Sequence, residues 1–202
     1  MKKIFQQTIQ KPVSFKGIGL HSGKETTIKI LPCSENGGIT FKRVDLFKNN
    51  LIVANYNNVS STTLSTTLQN KYGVRVSTVE HLLAAFYIAG IESAIVEIDN
   101  EEVPIMDGSA KDFLRDLRKI DKKKIDKKIK YLKILDKFKY EDGNRKIQIS
   151  PSENFEVDFE LKYQNKVIGN QRNLINFNQE DLTDVEESRT FCLYEDIQKI
   201  KK

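Results

Sequence analysis

The chain has 202 residues, 39% of them hydrophobic and 30% charged, a balance that suits one ordinary globular domain or two small ones and excludes a disordered or fibrous chain. Its longest apolar run, Leu82 to Ile91, is about half of what a membrane-spanning helix needs, and the two cysteines, Cys33 and Cys192, are too far apart for a CxxC motif or a disulfide framework. The net charge of +5 raises nucleic-acid binding, a reading that depends on where along the chain that charge lies. The first residues carry two lysines but no apolar segment follows, so no signal peptide is read and a reducing, cytoplasmic setting fits.

In chain order, residues Thr26 to Leu31 alternate as a strand should, a turn follows at Glu35-Asn36-Gly37-Gly38, and Ile39 to Val44 reads as the returning strand. Residues 57–69 are rich in Ser, Thr and Asn, which argues against a helix there. Val74 to Val76 reads as a short strand leading into a helix that starts at Ser77 and stops at Gly90. Val79, Leu82, Leu83 and Phe86 form a stripe at i, i+3, i+4, i+7, and Ala84, Ala85 and Ile88 make the opposite side apolar too, so deep burial is predicted. Ser93 to Ile98 and Val103 to Met106 read as strands, and a second helix follows Ser109 as N-cap.

The basic excess is confined to one stretch. Lys119 to Lys139 holds ten lysines against three aspartates, leaving the rest of the chain with 23 basic and 25 acidic residues. Its core, Lys122 to Lys130, has no arginine and Tyr131 as its one nearby aromatic, unlike a nucleic-acid-binding face with arginines and stacking rings. Residues 121–130 therefore read as a solvated linker between a first domain, 1–120, and a second, 131–202. In the second, Glu141-Asp142-Gly143-Asn144 carries a hairpin signal, and Phe155 to Tyr163 alternates as a half-buried strand. Asn170 to Lys202 offers a strand or two and the start of a helix, and the Phe155/Val157/Phe159 face would expose apolar surface if nothing covered it.

Among residues able to carry chemistry, Ser77-Thr78-Val79-Glu80-His81 is the densest cluster. A carboxylate beside an imidazole can supply a general base and a metal ligand. The plain alternative is a capping box, Ser77 with Glu80, beside a satisfied histidine; the two can coexist. Gly17-Ile18-Gly19-Leu20-His21-Ser22-Gly23-Lys24 reads as a tight loop, and its glycine spacing fits neither a dinucleotide nor a Walker motif. No G-x-S-x-G elbow is present, Asp107 in Pro104-Ile105-Met106-Asp107-Gly108-Ser109-Ala110 reads as a turn residue, and Thr190 has no signal of its own. His21 and His81 are the two histidines of the chain, and a catalytic zinc wants three protein ligands and an open position.

Taken in order, the segments 17–24, 77–82 and 104–110, with Asn170-Gln171-Arg172 and Ser188-Arg189-Thr190-Phe191, resemble bacterial UDP-3-O-acyl-N-acetylglucosamine deacetylase across essentially the whole chain. The resemblance implies an α+β fold of two sheet-and-helix domains. It also implies zinc-dependent removal of the N-acetyl group from UDP-3-O-acyl-N-acetylglucosamine, the committed step of lipid A synthesis in Gram-negative bacteria. It makes Glu80 the general base, His81 a zinc ligand and Thr190 the donor to the reacting carbonyl. Leu64 would meet the substrate through its backbone, Phe191 would lie near the acyl passage, and Tyr163 would lie under the uracil ring. For His21 it implies only proximity to the site. The expected partner is the small-molecule substrate, with no nucleic acid, no stable membrane insertion and a monomeric state.

The same resemblance implies two further zinc ligands in an H-x-x-x-D motif and a general-acid histidine, all expected beyond Lys202. On that reading the second domain is incomplete. The alternative to a working deacetylase is then an inactive remnant or substrate-binding fragment of the family.

Overall fold

A computed structural model describes residues 4–33, 37–178 and 181–194. They form an α+β fold of two compact units, Lys130–Leu182 being one and the rest of the described chain the other.

In the first unit the strands are β1 (Phe5–Ile9), β2 (Val13–Ile18), β3 (Glu25–Leu31), β4 (Ile39–Arg43) and β5 (Leu51–Val53). After a 3-10 turn at Tyr56–Asn58 come β6 (Val59–Ser61), β7 (Thr67–Gln69), β8 (Arg75–Val76), helix α1 (Glu80–Ala89), β9 (Ala94–Ile98), helix α2 (Lys111–Leu117) and β10 (Lys122–Lys128). The main sheet runs β2-β3-β9-β4-β5, antiparallel except for the parallel β4–β9 pair. Alternation puts Thr26, Ile28 and Ile30 of β3, with Ala94, Val96 and Ile98 of β9, on the buried face. Leu82, Ala85 and Phe86 of α1 and Phe113, Leu114 and Leu117 of α2 join them in one core, where the Phe15 and Phe113 rings meet edge-on at 5.0 Å.

Helix α1 differs from its sequence reading in its burial and in its start. Its buried stripe is Leu82, Ala85, Phe86 and Ala89, while Ala84 and Tyr87 are exposed, so the helix is covered on one side rather than all round. It begins at Glu80, not Ser77, and its end is set as predicted by Gly90 at φ 68°. The run from Val103 to Met106 is not a strand: Pro104 has no N–H to pair and Met106 sits at φ 54°.

The lysine-rich stretch also departs from its linker reading. Strand β10 pairs antiparallel with β1, from Phe5 opposite Lys128 to Ile9 opposite Lys122. Strand pairing uses the backbone, so lysines are no bar to it; within β10 Ile125 alone is buried and the other six residues are exposed. Lys122 Nζ donates to Ala89 O at 2.7 Å, satisfying a carbonyl at the C-terminal end of α1, and Lys124 lies 3.6 Å over the Phe5 ring.

In the second unit, β11 (Phe138–Asp142) pairs with β12 (Arg145–Ile149) and β13 (Glu156–Lys162) with β14 (Asn170–Asn176). The first hairpin turns through Gly143 at φ 56° and Asn144, as the sequence signal predicts. Strand β13 is less covered than its alternation suggests: Val157 and Leu161 are half-buried but Phe159 is 54% exposed. After this unit the chain returns to the first one with helix α3 (Thr183–Glu187), so the segment from 183 does not belong with 131–182. Among the described residues no helix is long and apolar enough to cross a membrane.

Candidate active site

The loop between β2 and β3 closes on itself, with Gly19 N–H donating to Lys24 O and Gly23 N–H to Gly19 O, both at 2.9 Å. Beneath it lies the Glu102 carboxylate, 2% exposed. It accepts from the His21 amide at 3.0 Å, the Ser22 amide at 2.8 Å and the Thr78 hydroxyl at 2.9 Å. Burial alone would raise its pKa, but these donors together with the Ser22 hydroxyl outweigh it and hold the carboxyl below its ordinary value. A Cβ on Gly19 would stand 2.4 Å from Glu102 Oε2 and 2.3 Å from Ser22 Oγ. That close approach is why the loop needs glycine there.

The Ser77–His81 segment is shaped by the same neighbour. Ser77 N–H donates to Glu101 O at 2.9 Å, and Ser77 O accepts from Val103 N–H at 3.1 Å. Thr78 then takes φ 56°, a left-handed conformation that costs a β-branched residue on the order of 1–3 kcal/mol. The helix cannot start until Glu80, Val79 occupies the N-cap position with no side-chain cap, and the Ser77–Glu80 capping box does not form. The Glu80 carboxylate instead accepts from Thr66 N–H at 3.2 Å. Thr66 follows the turn that carries Leu64, which is 78% exposed at φ 63°. Glu80 and His81 are both half-buried in the first turn of α1, where unpaired helix amides favour negative charge. The structure thus brings Glu80, with His81 next to it in sequence, against the loop that follows Leu64.

The Pro104–Ala110 segment joins a different pair of predicted residues. Ile105 N–H donates to Ile18 O at 3.0 Å, tying it to the glycine loop. Asp107 is the turn residue expected: its carboxylate accepts from the Ser109 hydroxyl at 2.6 Å and amide at 3.0 Å, and those bonds with Arg189 lower its pKa. Ser109 Oγ accepts from Lys111 N–H at 3.1 Å, a capping bond one residue ahead of the assigned cap, Ala110. Thr190 N–H donates to Gly108 O at 2.8 Å. Helix α3 fastens that segment, with buried Glu186 paired to Arg118 and Glu187 to Lys111 at 2.6 Å. Thr190 is exposed and Phe191 is half exposed beside it.

His21 opens onto a polar cleft of about 490 Å³ that Lys24, Arg43, Asp45, Ser77 and Glu101 also line. Arg43 is already engaged, to both Asp45 oxygens at 2.8 and 2.6 Å and to Arg75 O at 2.8 Å, and it depresses the Asp45 pKa. Tyr163 lies in the second unit, where its amide donates to Gly169 O at 3.1 Å. Arg172, from the Asn170–Arg172 segment, pairs there with Asp158 at 2.6 Å. Sequence reasoning missed Glu102. Its partners lie 80, 81 and 24 residues away, and no local pattern marks a carboxylate for burial.

The donor chemistry at His81 suits one zinc ligand, an imidazole with a carboxylate alongside. The described residues gather no group of three or more His, Cys, Asp or Glu able to hold a metal, so they do not by themselves make a zinc site.

Residues 6–202 match the family model of UDP-3-O-acyl N-acetylglycosamine deacetylase. The chain is 40% identical over 197 residues to the UDP-3-O-acyl-N-acetylglucosamine deacetylase of Geotalea uraniireducens strain Rf4, covering 97% of this chain and 64% of that one. It is 39% identical over 201 residues to the enzyme of the same name from Shewanella frigidimarina strain NCIMB 400, covering 98% and 66%. The chain therefore spans just under two thirds of the length of these relatives. By the extent of both matches, the chain belongs to the UDP-3-O-acyl N-acetylglycosamine deacetylase family.

Proposed function

We propose that this chain supplies the general-base half of a zinc-dependent deacetylase that removes the N-acetyl group of UDP-3-O-acyl-N-acetylglucosamine in lipid A synthesis. The observation that carries the reading is the placement of Glu80. Freed from capping its own helix, its carboxylate lies against the Leu64–Thr66 loop with the His81 imidazole next to it in sequence. The names of the relatives, deacetylases acting on this UDP-sugar, support the substrate and the bond broken.

Zinc, when bound, would supply a polarised water and carbonyl; His81 is the residue here that would ligate it. Glu80 takes the proton of the attacking water as its oxygen bonds to the acetyl carbon. Thr190 donates to the oxygen on which charge develops, from a backbone held by Gly108. The C–N bond then breaks as the departing nitrogen takes a proton from the general-acid histidine that the resemblance implies, giving acetate and a free amine. Leu64 and Phe191, exposed in the first unit, are offered to the substrate as backbone contact and acyl neighbour, and Tyr163 to the uracil ring.

Bound zinc, binding of the UDP-sugar and acetate release, measured on one preparation of the purified protein, test the reading. About one zinc per chain together with acetate release would support the catalytic reading, in which other ligands join His81. Substrate binding without zinc or acetate would make the chain a substrate-binding, non-catalytic member instead.

A further inference from the structure

We propose that Glu102 is a positioning residue for Glu80: its buried carboxylate fixes Thr78 in a left-handed turn, and that turn sends the Glu80 side chain to the Thr66 loop rather than back to its own helix. Calling Glu80 a general base rests on the reading above, but the geometry does not.

A Ser-x-x-Glu sequence ahead of a helix ordinarily closes a capping box, in which the glutamate accepts from the serine's own amide. Here that amide is taken, because Ser77 N–H donates to Glu101 O, and Val103 N–H holds Ser77 O from the same strip of chain. Glu102, between those two residues, binds the Thr78 hydroxyl at 2.9 Å. Three consecutive residues therefore occupy Ser77 and Thr78 from one side. A β-branched residue at φ 56° is held there only when its surroundings determine it. The same carboxylate accepts from the His21 and Ser22 amides, so the glycine loop and the Glu80 segment share one anchor. Ionised carboxylate suits this post because all the partners donate and it only accepts; glutamine would turn an NH₂ toward one of them.

Amide hydrogen exchange followed by NMR on the purified protein tests the proposal without reading activity. In Glu102→Ala and in Glu102→Gln, the Thr66 amide is expected to exchange about tenfold faster or more, while the Leu83 amide, bonded to Val79 O inside the first turn of α1, keeps its protection. Adding Thr78→Gly to Glu102→Ala is expected to bring Thr66 back to within about threefold of wild type, since glycine adopts this φ without an anchor. The proposal is overturned if Thr66 is unaffected, if Leu83 loses protection in step with it, or if the glycine gives no rescue. Loss of the deacetylase reading would leave these outcomes unchanged, so the two stand or fall separately.

Discussion

Gly19 and Glu80 mark the two kinds of residue on which this site depends. Gly19 matters for what it lacks: the Cβ of Gly19→Ala would meet Glu102 and Ser22 at under 3 Å. That substitution is expected to cost about 1–3 kcal/mol by overpacking, measured as a lower urea midpoint with unchanged m value. Glu80 matters for where it points. Its candidacy was legible in the sequence as a carboxylate beside a histidine, but its orientation was not. The capping-box pattern is a local signal, and it lost to hydrogen bonds that Ser77 and Thr78 make with Glu101, Glu102 and Val103, more than twenty residues along the chain. Thr190 is similar, for nothing around it in sequence says that its amide reaches Gly108.

At the scale of elements, periodicity served well where one face is buried. In α1 the stripe through Leu82 and Phe86 was readable, and Leu82→Ala is expected to cost about 2–5 kcal/mol. Ala84→Lys, on the exposed side, should stay within about 0.5 kcal/mol; equal costs by chemical denaturation would contradict one-sided burial. Strand β10 shows the limit of the same method. A run of lysines with one buried isoleucine carries no alternation to read, and only β1, over a hundred residues earlier, makes it a strand. Helix α3 is held from outside as well. Removing the buried carboxylate in Glu186→Ala should free the following segment, so that the Thr190 amide exchanges about tenfold faster while β3 amides do not change. Uniform loss of protection would mean that α3 supports the whole unit rather than this segment.

For the molecule as a whole, acid sensitivity follows from the carboxylates. Glu102, Asp45, Asp107 and Asp116 all have lowered pKa values, Asp116 to about 2 through its bonds to Arg115 and Lys119. Between unfolded and folded values the unfolded chain binds more protons, so their contribution is full above the ordinary carboxylate value, 4.5 for Glu102, and is lost as pH falls through the folded values. Thermal unfolding is expected to be flat with pH above this point and to drop toward about pH 2, less steeply at its upper end in Glu102→Gln; an identical profile in that variant would contradict a depressed Glu102. The central claim, that Glu80 is the base of a deacetylase, is tested most directly by acetate release from UDP-3-O-acyl-N-acetylglucosamine in wild type and Glu80→Gln, with substrate binding measured alongside. The account predicts a fall of about 10²–10⁴ in release with binding kept. Undiminished release in Glu80→Gln, or none from the wild type, would contradict it.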